Sequence, residues 1–296
     1  MAITRITQNM MTRDSLASLQ ANLSRTARLQ EQMSTGRVIN RPSDSPTGAA
    51  AAMRLRDDLA ATGQYQRNTQ DGVSWLGIID NALTSVTDQT REARDTALQG
   101  ASAGTGGQGV RDGLAGTIDE LRKSLLADAN TTYLGRPVFG GTTAGSVAYD
   151  GSGAFVGTTT PVTRTVADGV TIRVDADATA VFGADGANVF SHLSDLSTAL
   201  RAGDQAGIAA GIDHLNKDLD RLATAHAEVG TRAARVDAAA QTAADTELRL
   251  KSSLSNVENA DLPQVIVDLQ MQQTSYQAAL AATSRVMQPS LLDFLR

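Results

Sequence analysis

The stretch from 206 to 257 constrains the fold more than any other part of the chain. Steps of four and three from Ile208 reach Ile212, Leu215, Leu219, Leu222, His226, Val229, Ala233, Val236, Ala240, Ala243, Glu247, Leu250, Leu254 and Val257. Thirteen of these fifteen positions are apolar, with His226 and Glu247 the exceptions, and no proline interrupts them. A strict 3.5-residue period keeps one stripe turned toward a neighbouring helix along a left-handed supercoil. At 1.5 Å per residue the run predicts a rod of roughly 80 Å. Such a rod does not close on itself as a compact core; it needs a helix of similar length beside it.

Residues 48 to 99 supply that helix. Leu55, Leu59, Thr62, Gln66, Thr69, Val73, Leu76 and Leu83 repeat the spacing, while Gly63, Gly72 and Gly77 weaken it locally, each by about 1 kcal/mol relative to Ala. An earlier helix is expected over 3 to 34, with Leu16, Leu19, Leu23, Thr26, Gln30 and Met33 as its stripe and Gly36 as its C-cap. Pro42 and Pro46 make the intervening residues irregular, and Ser45 or Thr47 is placed to cap the next helix. After Val257 the heptad frame slips. It resumes at Leu262 and runs through Ile266, Leu269, Gln273, Tyr276, Leu280, Thr283 and Met287 to Leu291 and Phe294. Asp261 is the expected N-cap, with Pro263 in the first turn.

Between the long helices the pattern changes. Residues 100 to 109 are rich in glycine and read as a break, and 110 to 130 as a short helix carrying Leu114, Ile118, Leu121 and Leu125. Strict alternation in 162 to 166 and 170 to 174, around Asp168-Gly169, predicts a β-hairpin; 147 to 149 and 154 to 156 form a weaker one. Helix returns over 187 to 201. The order is near-palindromic, so the two ends run antiparallel and their breaks fall at matching heights. Three parts are expected: terminal arms (1–34 plus 262–296), a central helical rod (35–134 plus 187–261) and a small β-rich tip (135–186). The fold class is mainly α with a small β insert, an elongated antiparallel helical bundle or coiled coil.

Composition narrows the function. Aromatic residues make up only 3% of the chain, which suits thin helical bundles better than thick cores or deep ligand pockets. A net charge of −6 argues against nucleic acid and anionic membrane as partners. No cysteine is present, so thiolate chemistry and disulfides are excluded. There is no continuous apolar segment of signal or membrane-spanning length. The glycine pattern of 104 to 109 matches a dinucleotide-binding fingerprint, but it follows a helical stretch rather than a strand. Asp175 and Asp177 make only half a calcium loop. His192, His214 and His226 lack metal-ligand spacing, and His226, on the stripe, is expected to set register. No catalytic, cofactor or metal residue is expected, and no enzymatic motif occurs.

Ordered motifs carry a resemblance. S-T-G-R-V-I-N-R-P-S-D-S-P at 34 to 46, Y-Q-R-N at 65 to 68, Y-L-G-R-P-V-F-G-G-T at 133 to 142, E-V-G-T-R at 228 to 232, V-E-N-A-D-L at 257 to 262 and S-L-L-D-F-L at 290 to 295 resemble the flagellin superfamily. The Pro-Ser-Asp-Ser-Pro portion is more similar to the hook–filament junction branch than to filament flagellin, although Ser45 and Thr35 depart from the commoner residues. The resemblance covers both ends, and the insert from 143 to 186 matches loosely. It implies a flagellin-type fold and a structural, extracellular role, with export through the flagellar secretion apparatus aided by a chaperone. It also implies self-assembly into a ring-like layer between the first hook-associated protein and flagellin. The assembly interface implied is Leu16, Leu19, Leu23, Met33, Leu262, Ile266, Leu269, Tyr276, Leu280, Met287, Leu291 and Phe294. A filament flagellin, or a coiled-coil adhesion or sensory protein, is the alternative. A lone arm pair buries one stripe against the ordering of some 60 residues, at about 1–2 kcal/mol each, so the arms are expected to fold on assembly.

Overall fold

The computed structural model describes residues 8–102 and 107–287. The helices are α1 (Gln8–Thr35), α2 (Pro46–Ser102), α3 (Gln108–Ala129), α4 (Ala178–Phe182), α5 (Val189–Ala202), α6 (Gln205–Glu258) and α7 (Leu262–Met287). Between α3 and α4 lie two antiparallel hairpins, β1 (Thr132–Tyr133) with β2 (Arg136–Pro137), and β3 (Thr163–Ala167) with β4 (Val170–Arg173). The chain forms two compact units. One comprises 1–60 with 247–296, the other 61–246, so both long helices contribute to each.

The long helices follow the heptad reading. All fifteen stripe positions on α6 are buried or half-buried, as are the eight on α2. Within the second unit α2 and α6 run antiparallel. His226 Nε2 lies 2.7 Å from Asp80 Oδ1, which is the register contact expected of a polar stripe residue. Helix α2 continues without interruption through Gly63, Gly72 and Gly77. At Gly72 a Cβ would stand 3.2 Å from Val174 Cγ1 and 3.4 Å from Val236 Cγ1, so a missing side chain there allows close approach.

Helices α3 and α5 pair antiparallel in the same unit. Ser197 Oγ donates to the Ala115 carbonyl at 3.3 Å, Arg122 Nε to the Phe190 carbonyl at 3.1 Å, and Arg201 pairs with Asp119. Asn188 caps α5 through Ser191 N, and Gly203 ends it at φ +70°, the left-handed geometry of a C-cap.

The insert is more than the small β-rich tip its hairpins predict. Its core is aromatic. Phe155, Phe182 and Phe190 gather around Tyr149 and Phe139 packs on Phe182, with ring centroids 5.0–5.6 Å apart, so four of the five phenylalanines share one cluster. Tyr149 donates its hydroxyl to the Ala178 carbonyl at 3.1 Å, and burial pushes its ionisation well above the ordinary tyrosine range. The scarcity of aromatics in the whole chain therefore conceals a local concentration. Hairpin β3–β4 stands where Asp168-Gly169 placed it, with an irregularity between Thr165 and Ala167. The weaker hairpin reduces to a bridge between Tyr149 and Phe155. Short α4 was not legible; Asp177 caps it, accepting from Thr179 N and Ala180 N.

Phe182 is fully buried in this cluster. Phe182→Ala is expected to remove about 3–5 kcal/mol from the second unit. Urea unfolding followed through Trp75, the single tryptophan and itself in that core, measures it.

Candidate functional site

The first unit contains the arms and both chain breaks. Helices α1 and α7 run antiparallel: Gln272 Nε2 donates to Asn22 Oδ1 at 3.1 Å, and Ala260 N to the Gly36 carbonyl at 2.9 Å. The inward row on α1 is Ser15, Leu19, Asn22, Thr26 and Leu29, all half-buried. Opposite it on α7 stand Val265 and Leu269, both buried, with Gln272, Tyr276, Ala279 and Thr283 half-buried.

This row is offset from the stripes expected on both arms. Of the sequence-derived interface residues, Leu19, Leu269 and Tyr276 face inward. Leu16, Leu23, Met33, Leu262, Ile266 and Leu280 do not; they are 42–56% exposed. Leu291, Phe294 and the side chain of Met287 lie outside the described residues. Each arm therefore carries two adjacent rows at heptad spacing. The inner row includes Ser, Asn, Gln and Thr, and the more leucine-rich row is left outward. An exposed leucine row on a helix has the composition of a seam whose partner is another helix.

The two breaks are bonded to each other. Gly36, at φ +68°, ends α1, its N–H donating to the Gln32 carbonyl at 2.8 Å. Val38 N then donates to the Glu258 carbonyl at 2.7 Å, so the chain leaving α1 meets the chain leaving α6. Asp44 Oδ2 accepts from Asn40 N at 3.1 Å and Arg41 N at 2.8 Å, closing the Pro42 turn, and Arg41 reaches back to Glu31 at 3.1 Å. Ser45, not Thr47, caps α2, with Gly48 N 3.2 Å from its Oγ and Pro46 at the first helical position. Asp261 caps α7 through Gln264 N. At the centre, Glu258 is only 6% exposed in its side chain, with Arg56 at 2.6 Å and Arg37 at 3.9 Å.

The remaining polar candidates have structural partners. Asp175 is buried, pairs with Arg173 at 2.7 Å and accepts from Val162 N at 3.0 Å, while Asp177 serves as the α4 cap. His192 Nδ1 lies 2.7 Å from buried Asp218, and its ring stacks on His214 at 4.4 Å. Among the described residues no group of three or more His, Asp or Glu side chains could hold a metal ion, and no helix is long and apolar enough to cross a membrane. The glycine run is flanked by α2 and α3, two helices, and part of it falls outside the described residues.

Removing one partner from a buried pair leaves the other uncompensated. Arg56→Met is expected to destabilise the first unit by about 2–3 kcal/mol, because Glu258 stays buried with only the longer Arg37 contact. Glu258→Gln should cost less, since Arg37 and Arg56 are each about half exposed and regain water. Denaturant unfolding of the two variants checks the order.

Known proteins carry the same layout. The bacterial flagellin N-terminal helical region matches residues 6–144, and the bacterial flagellin C-terminal helical region matches residues 211–295, well over half of the chain between them. Flagellar hook-associated protein 3 of Salmonella typhimurium is 26% identical, over 99% of this chain and 100% of that protein. A flagellin of Bacillus subtilis is 22% identical, over 99% of this chain and 100% of its own length. The crystal structure of flagellar hook-associated protein 3 from Legionella pneumophila superposes with a TM-score of 0.62 at 13% identity, covering 69% of this chain and 98% of that one. Paired terminal helices, two matched breaks and an insert between the long helices, together with these two matching regions, place the chain in the flagellin superfamily.

Proposed function

We propose that this chain is the structural subunit that joins hook to filament in a bacterial flagellum. The outward apolar row on the paired arms carries this reading, because it leaves an apolar surface open to neighbouring subunits. Leu16, Leu23 and Met33 on α1, and Leu262, Ile266 and Leu280 on α7, would meet arms of neighbouring subunits. The similarity to hook-associated protein 3 over nearly the whole chain, and the Pro-Ser-Asp-Ser-Pro turn, favour the junction layer. Its neighbours there are the first hook-associated protein on one side and flagellin on the other. Export proceeds unfolded through the flagellar secretion apparatus, with a chaperone holding the chain. The role is mechanical, with no catalysis and no cofactor.

The second reading is a filament subunit, favoured by the full-length match to a flagellin. Electron microscopy separates the two. Deletion of the gene is expected to leave hooks without filaments, and gold label on a tagged chain to sit only at the hook–filament boundary. Label along the filament would make the chain a flagellin, and normal filaments in the deletion strain would refute both readings.

Arm stability gives a further test. The inward row offers two buried apolar side chains, Val265 and Leu269, against the cost of ordering both arms. Brief trypsin treatment of the purified chain should cut at exposed Arg13, Arg25 and Arg28 while sparing the 61–246 unit. Fully protected arms would show that they are ordered before assembly.

A further inference from the structure

The β1–β2 turn displays an apolar side chain under constraint. Leu134 is 81% exposed, the most exposed large apolar residue among those described. It stands at φ +49°, followed by Gly135 at φ +77°. A two-residue hairpin turn with both centres left-handed ordinarily takes Asn-Gly, and leucine is disfavoured there. The turn is nonetheless firmly seated. Tyr133 packs edge-on against Trp75 at 5.4 Å and donates its hydroxyl to Asp71 at 3.1 Å, and Asp71 pairs with Arg164 at 2.6 Å. A rigid base thus presents a leucine in an unfavourable backbone conformation, facing water.

Elsewhere in the same unit a groove has room for such a side chain. A cavity of about 490 Å³ is lined by Tyr65, Val166 and Ile172 and floored by Ala239 and Ala243. Arg235 also lines it, and Asp168 is the one carboxylate among its lining residues. Charge favours a match between the two features. Arg136, two residues after Leu134, is exposed, and so is Asp168. Among the described residues neither forms an ion pair. A small apolar ligand would fill the groove but leave the leucine unexplained.

We propose that Leu134 of one copy docks in this groove of the next copy, with Arg136 against Asp168. Knob and groove are different surfaces, so the contact is head-to-tail and repeats from copy to copy. The proposal rests on the reading of the chain as a self-assembling layer. It adds a lateral contact in the insert-bearing unit, separate from the arms.

The chain has no cysteine, so engineered ones report without background. Cells carrying Leu134→Cys/Ala239→Cys in place of the native gene would be grown, their flagella isolated and the thiols oxidised with copper phenanthroline. Covalent dimers and higher multimers joined through positions 134 and 239 are expected, and each single variant should give none. In the double-cysteine background, Arg136→Asp or Asp168→Arg should lower the multimer yield about tenfold, and the two together should restore it. If the chain is present in flagella without 134–239 bridges between copies, or bridges instead to another protein, the docking is wrong while the junction role stands. If the unaltered chain is absent from isolated flagella, both fall.

Discussion

Glu258 is the point on which the first unit depends. Its carbonyl accepts the N–H of Val38, and its carboxylate lies beneath Arg37 and Arg56. One residue at the end of α6 thus contacts the chain leaving α1 and the first turns of α2. A carboxylate so far removed from water is tolerable only when paired, and the two guanidinium groups hold the breaks at one level. With Gly36 and Asp261 ending and starting helices at that level, α1 and α7 are set antiparallel from their first turns.

From that setting follows the division of the arms into two rows. The hydrogen bond between Asn22 and Gln272 and the packing of Val265 and Leu269 use one face. The leucines one position away remain outside. A helix pair that turned its best apolar row inward would be more stable alone and would have less to offer a neighbour. Polar residues within the inner row set register at a cost in stability.

Much of this was legible in the sequence, and the limits have physical causes. The period of α6 was unambiguous because only one stripe on it is apolar. Asp168-Gly169 marked its hairpin because the turn needs a left-handed residue, which Gly169 supplies at φ +67°. On α1 and α7, two adjacent rows score alike at heptad spacing, so which one faced inward depended on Asn22, Gln272 and the bonded breaks. Leu134 was missed because Leu-Gly is not a dipeptide that announces a two-residue turn. The aromatic cluster was missed because Phe139 and Phe190 are far apart in sequence and join only through the fold. The roles of Asp175 as ion-pair partner and of Asp177 as helix cap became visible only in three dimensions.

In the proposed assembly the inner row joins the two arms to each other and the outer row meets neighbouring subunits. Aspartate placed at Leu280 and at Leu269 separates the two. Leu280→Asp puts a charge where the free chain is open to water, so its unfolding should change by no more than about 0.5 kcal/mol. In the flagellum the same charge would be buried, and the variant is predicted to be absent from isolated hook–filament junctions. Leu269→Asp, at a buried position, should weaken the arms already in the free chain. Normal incorporation of the Leu280→Asp chain would show that the outer row is not the assembly surface.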